Sequence, residues 1–318
     1  MTLISENNWF EKILGFKEIN FRYTLDEIPA SIREKMGEFQ TVSIRDLKAQ
    51  AQAQVQAMDT SAPLVVKYRE QWSAESEQEF DTSALQYHAM PGTMFMVASN
   101  FNCLEVASER TNPFNGHFIT RLMSDSTQGP SASGGAAFGS ILRVIANADR
   151  PINLLENTPL ASSVNNGKLY YKKSTPLPDP DDVMIGLHTN VAASFLRSTE
   201  CRYNSRANRI NQVYTSTCIC TDGKPNALSK VLLDAAYEGV YLAAIRTQAP
   251  KIYLTLIGGG VFRNSRDLIY RSILRAHQLY SKYLKPGCVV ELPVYQSGTV
   301  SNLGLDQLRA GGALINRV

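Results

Sequence analysis

The residues with the most chemical promise lie in "KIYLTLIGGGVFRN", Lys251 to Asn264, where an apolar, β-branched run ends in three consecutive glycines. The next segment, "SRDLIYRSILRAHQLYSKYL", has helical spacing. A strand that stops at a glycine cluster and restarts as a helix can hold a phosphate. Bare glycines let backbone amides approach an anion closely, and the helix presents its positive end. A tight turn needing positive φ is the plain alternative, although three glycines in a row exceed what a turn requires. The loop is not a P-loop, since no Gly-Lys-Ser/Thr follows. A dinucleotide-binding fingerprint would need a small residue where Arg263 stands. A second glycine-rich junction, "TQGPSASGGAAFG" from Thr127 to Gly139, also precedes an apolar helix. Two such junctions suggest two walls of one cleft, which suits a diphosphate better than a single phosphate. The alternative for the second is a flexible surface loop. A third segment, "VASNFNCLE" from Val97, sets Ser99, Asn100, Asn102 and Glu105 at and just beyond a buried strand end. Amide side chains there suit hydroxyls or an adenine edge, and an ordinary Asn-rich turn fits the same residues.

Other chemistries have less behind them. The five cysteines are an odd number at low density, which favours a reducing compartment over a disulfide scaffold. Cys218 and Cys220 form a C-x-C with no second ligand pair nearby, so no structural zinc is expected. His117, His188 and His277 have no Ser or Cys at a spacing that suggests a triad. Cys103 lies near the expected cleft without an evident base, and core packing is its expected role.

The elements that must position these residues belong to a folded, α/β chain. Apolar content of 44% and charged content of 19% over 318 residues exclude a disordered one, and allow one large domain with an appendage. A net charge of +3 with scattered basic residues argues against nucleic acid or a membrane surface as partner. The opening "MTLISENNWFEKILGF" lacks the basic start and continuous apolar core of a signal peptide, and no stretch is apolar enough to span a bilayer. A cytoplasmic location, or entry into a host cytosol by secretion, is expected. The first sixty residues read as helical, with Ser43 and Asp46 resembling a capping box ahead of an Ala/Gln-rich helix. "TMFMVASN" and "INQVYTSTCIC" read as strands, "ALSKVLLDAAYEGVYLAAIRTQ" as a strong helix, and "GCVVELPVY" as one more strand. Strand and helix alternation implies a sheet with helices on both faces and ligands beyond the carboxyl ends of its strands.

Five segments in order carry a resemblance: "VASNFNCLE" at 97, "SDSTQGPSA" at 124, "INQVYTSTC" at 210, "LLDAAYEGVYLAA" at 232 and "LTLIGGGVFRN" at 254. Together, over about residues 90 to 285, they resemble a divergent, bacterial-effector type branch of the macrodomain superfamily, the macrodomain-like ADP-ribosylhydrolases. The resemblance implies a mixed sheet flanked by helices at residues 81–318, preceded by a helical N-terminal extension at 1–80. It implies ADP-ribose, or ADP-ribosylated protein, as partner. The nucleotide would lie between Thr127, Gln128, Gly129, Gly134 and Gly135 on one wall and Gly258, Gly259, Gly260, Val261, Phe262 and Asn264 on the other. Ser99, Asn100 and Asn102 would also contact the nucleotide, and Phe262 would pack on the distal ribose. In such hydrolases carboxylates orient the scissile linkage or activate water. Asp125 is the leading candidate, followed by Glu105 and Glu238; a loop cap for the first and ion-paired groups for the others are the alternatives. No cofactor or resident metal is called for, although the resemblance leaves room for a divalent cation. The chain departs from the branch at Ser126, where an Arg is expected, at Arg263, where a small residue is expected, and at Ser265, where an acid is expected. These departures keep a non-catalytic reader of ADP-ribose open as the second class.

Overall fold

A computed structural model of the chain describes residues 9–18, 24–54, 57, 61–71, 73, 80–104, 110, 112, 114, 118–120, 137–172, 174–197, 200–202, 208–220 and 226–318. Helix α1 (Trp9–Leu14) and α2 (Ala30–Met36) lead into strand β1 (Glu38–Ser43), α3 (Ile44–Gln54), β2 (Leu64–Arg69), α4 (Thr82–Tyr87) and β3 (Met94–Ala98). Helix α5 (Ala137–Asp149) and the short hairpin β4 (Val164–Asn165) and β5 (Lys168–Leu169) precede β6 (Met184–Ala192). A second small hairpin, β7 (Phe195–Arg197) and β8 (Glu200–Arg202), leads to β9 (Arg209–Thr215), α6 (Ala227–Thr247), β10 (Lys251–Tyr253) and α7 (Arg266–Tyr280). The chain finishes with β11 (Val289–Ser297), α8 (Asp306–Ala310) and β12 (Leu314–Arg317).

The main sheet has eight strands in the order β1-β6-β9-β3-β10-β11-β2-β12. From β9 to β12 every neighbouring pair is parallel, whereas β6 runs antiparallel to both β9 and β1. Parallel strands need both faces covered, and their sequences show it. Met94 to Val97 in β3 are all buried, as are Ile210 to Thr215 in β9. Helix α6 is buried over most of its length, which accounts for its small and aliphatic residues recurring on every side. A side-chain carbon at Gly239 would lie 2.7 Å from Ile185 of β6 and 3.0 Å from Ile44 of α3, so glycine is what lets this helix seat so closely.

The expected strand at Ile210, the long helix at Ala227, the strand at Lys251 and the one after Gly287 are all present. Ser43 does cap α3: its Oγ accepts the Asp46 amide at 3.0 Å and donates to the Asp46 carboxylate at 2.7 Å. The all-helical reading of the first sixty residues needs correction. Residues 38–43 form β1, an edge strand of the main sheet, and β2 lies deeper, between β11 and β12. Phe10, Leu14, Ile32, Val42, Ile44, Leu64 and Val66 share one buried core with residues after position 80.

Candidate functional site

Because β9, β3 and β10 are adjacent and parallel, the loops at their carboxyl ends must emerge side by side. Helix α6 starts after the β9 loop and α7 after the β10 loop. Asn226 caps α6 by accepting the Ser229 amide at 2.7 Å, and Ser265 caps α7 by accepting the Leu268 amide at 3.3 Å. Two long helices therefore turn their positive ends toward the same edge of the sheet.

The glycine loop is built for reasons that differ at each glycine. Gly258 has φ +71, and a side-chain carbon there would fall 2.5 Å from Thr217 and 2.6 Å from the Asn264 amide nitrogen, so both backbone and space demand glycine. At Gly259 the added carbon would meet Ile269 and the Leu256 carbonyl at 3.2 Å. At Gly260 it would meet nothing within 4 Å, and no unusual φ calls for glycine. The loop closes on itself through Gly259 N to Leu256 O, Arg263 N to Gly260 O and Asn264 N to Gly258 O. Among the described residues the amides of Gly260, Val261 and Phe262 have no partner. Gly259, Gly260, Val261 and Arg263 are exposed, and Phe262 is half-buried. Arg263 sits in the left-handed region at φ 56, turning the chain into α7.

The loop after β9 clamps the glycine loop in place. Cys220 N donates to the Phe262 carbonyl at 2.8 Å, and the buried Asn264 amide donates to Cys218 O at 3.0 Å and Gly258 O at 3.3 Å. The Cys220 thiol reaches Asn264 Oδ1 at 3.3 Å, and both Cys218 and Cys220 sulfurs lie about 3 Å from Ser229 Oγ, at 3.1 and 3.0 Å. Burial pushes the Cys218 thiol up, so it stays neutral. Asn264 thus acts as the joint between the two loops, a role that its position in a glycine motif does not reveal.

The loop after β3 is braced from within. Ser99 Oγ donates to Asn100 O at 2.9 Å and Asn100 Nδ2 to Leu104 O at 3.0 Å, while Asn102 Oδ1 accepts the Leu104 amide at 3.1 Å. All three side chains are buried, and these bonds hold the turn itself, the plainer of the two roles open to them. Cys103 is fully buried and its thiol is pushed up to about 12 by burial, against a smaller opposing effect of Arg143; it packs rather than reacts. His188 is neutral: burial, reinforced by the Arg143 charge, lowers it to about 3. Its Nε2–H donates to Met36 O at 2.6 Å, which leaves Nδ1 to accept from Arg143 Nη1 at 3.3 Å.

Glu238 is not brought to this edge. It faces α3 and the far half of α7, with Lys48 Nζ at 2.8 Å, Arg275 Nη1 at 2.7 Å and a hydrogen bond from the Tyr280 hydroxyl. Arg275 stands roughly 13 Å along α7 from its start at Arg266, at about 1.5 Å per residue. Burial alone would raise Glu238, but Lys48, Tyr280 and Arg275 outweigh it and hold the carboxylate ionised. The cluster is structural, and Glu238 is withdrawn as a catalytic candidate. Glu105, Asp125, Thr127, Gln128, Gly129, Gly134 and Gly135 lie outside the described residues, as does Ser126. Among the described residues no group of three or more His, Cys, Asp or Glu side chains stands ready to hold a metal.

No protein-family model matches the chain, and no curated protein matches its sequence. Solved structures do. A mutant poly(ADP-ribose) glycohydrolase from Deinococcus radiodurans, in complex with ADP-ribose, aligns with a TM-score of 0.53 at 12% identity, covering 90% of this chain and 98% of that one. The poly(ADP-ribose) glycohydrolase from Thermomonospora curvata aligns with a TM-score of 0.51 at 12% identity, covering 89% of each chain. At such low identity the likeness speaks to the fold, which is what the sheet order and the carboxyl-end loops describe independently. The chain therefore has a mixed α/β fold like that of these glycohydrolases, with a mostly parallel eight-stranded sheet flanked by helices.

Proposed function

We propose that the chain is an ADP-ribosylhydrolase that removes ADP-ribose from modified protein, seating the nucleotide at the carboxyl ends of β9, β3 and β10. One observation carries the reading. The loop from Gly258 to Asn264 offers the open amides of Gly260, Val261 and Phe262 in front of the α7 N-terminus, around a position where a glycine has no internal justification. Consecutive free amides at a positive helix end suit a diphosphate. The fold shared with glycohydrolases, one of them solved with ADP-ribose, points the same way. On this reading Asp125, in the segment that resembles the macrodomain-like hydrolases, orients the scissile linkage or the attacking water. Glu105 is its alternate. An arginine-linked adduct is the finer form of the proposal.

Ser265 favours a second reading. The position where the related hydrolases are expected to carry an acid is here the helix cap of α7, its hydroxyl occupied by the Leu268 amide. A chain lacking that carboxylate binds ADP-ribose and releases nothing, which makes it a reader. Incubation with ADP-ribosylated protein and with free ADP-ribose, scoring turnover and binding separately, divides the two. Hydrolysis is expected, and Asp125→Ala is expected to lower it by roughly 10²-fold with little change in affinity. Binding without turnover selects the reader; absence of both removes the ADP-ribose assignment.

A further inference from the structure

We propose that Thr217 is a ligand-contacting residue of this cleft, its hydroxyl donating a hydrogen bond to an anionic oxygen of the bound diphosphate. This rests on the ADP-ribose reading above and adds a residue that no glycine motif indicates. Thr217 is 2% exposed, and its Oγ1 has no hydrogen-bond partner among the described residues. Among the described residues, the only other buried hydroxyl in that condition is Thr215, two residues earlier on the same run of chain. Buried hydroxyls rotate freely and nearly always find a carbonyl, so two unmet ones at one strand end need an explanation.

The carbonyls flanking it in the chain already accept from elsewhere. Thr215 O receives the Ser99 amide at 2.9 Å, and Cys218 O receives Asn264 Nδ2 at 3.0 Å. Thr217 is also packed against the glycine loop: its methyl carbon lies 2.5 Å from where a side chain on Gly258 would begin. Gly258 is bare in part to make room for this threonine. Valine would fill the same volume without leaving a polar atom unsatisfied, so the hydroxyl is a liability to the empty fold. The loop it packs on carries the open amides of Gly260 to Phe262 and leads into the positive end of α7, features that attract an anion. An oxyanion arriving there meets a donor that the protein has left unengaged. Thr215 lies inside the β9 register, paired with Ala98, and is the internal comparison rather than a second contact.

Thr217→Val separates this role from a structural one because the two effects have opposite signs. Calorimetry with ADP-ribose is expected to show affinity reduced roughly tenfold or more, the size of a hydrogen bond to a charged group. The melting temperature is expected to stay level or rise, since an unmet buried hydroxyl is removed. Thr217→Ser should keep affinity within about threefold, and Thr215→Val should leave it unchanged. Wild-type affinity in Thr217→Val, or a lower melting temperature with affinity intact, overturns the assignment. If the wild type fails to bind ADP-ribose, the nucleotide reading falls by itself and inorganic pyrophosphate becomes the probe. Thermal protection of the wild type that Thr217→Val loses keeps Thr217 as an anion contact; equal protection of both, or of neither, overturns it.

Discussion

Helix α6 borders two buried polar neighbourhoods that look alike as candidate sites and differ in kind. Midway along it, Glu238 has Lys48, Arg275 and Tyr280 around it; elsewhere in the core His188 of β6, held by Met36 of α2 and Arg143 of α5, likewise has both ring nitrogens engaged. At its N-terminal end, Thr217 packs on Gly258 of the glycine loop, and its hydroxyl and that loop's amides at Gly260, Val261 and Phe262 have no partner among the described residues. Strongly perturbed titration marks the first neighbourhood and says nothing about the second. Perturbed ionisation accompanies structural ion clusters as readily as active sites. Unmet hydrogen-bonding capacity is the sharper pointer here, because a fold gains nothing by keeping it.

The contrast is breakable, and the largest expected effect is on the saturated side. His188 has a folded-state pKa of about 3 against an ordinary 6.5, so the unfolded chain takes up a proton that the folded one refuses. Stability should be full above pH 7 and fall progressively as pH drops from about 6.5 toward 3, by several kcal/mol. His277, lowered to about 4 by burial, adds to the loss over the upper part of that window. Urea midpoints measured against pH check this; a flat profile from 7 to 4 would show that neither imidazole is held neutral. Next comes Glu238→Ala, which leaves Lys48 with Asp181 alone and takes from Arg275 its carboxylate partner; the cost should be about 1–2 kcal/mol, because both cations are partly exposed. ADP-ribose affinity of the folded protein should not move; if it does, the two neighbourhoods are coupled. The smallest expected effect on stability is Gly260→Glu. A side chain there meets open space, so the melting temperature should hold while ADP-ribose affinity falls by roughly 10²-fold as charge enters the cradle.

What could be read in advance followed from how local each signal is. The glycine loop, α6, α7, β9 and β11 announce themselves by runs of residues whose propensities agree with their neighbours'. Strand β6 does not. Gly186, His188 and Asn190 interrupt its apolar pattern, and it becomes a strand because β1 and β9 pair with it on both sides. Strand β1, with alternating exposed and half-buried residues, hides in a stretch that otherwise favours helix. The candidate site reads in the sequence as a place more than as a set of roles. Asn264 reads as a ligand group and proves to be a joint between loops; Asn100 and Asn102 brace their own turn. Glu238 misleads because its partners come from two other helices. Thr217 is invisible in a sequence, where nothing records whether a hydroxyl has been satisfied.

The order of strands carries a further consequence, for the way the chain acquires its shape. Strand β2 lies between β11 and β12, so Leu64 waits beside Val290 and Val65 beside Leu314. During synthesis these early residues emerge long before either neighbour exists. Completing the sheet closes loops spanning most of the polypeptide, which makes assembly slow and leaves β2 with two unpaired edges in the interim. A nascent chain halted before residue 289 would keep both edges bare, and a holding chaperone would find its target there.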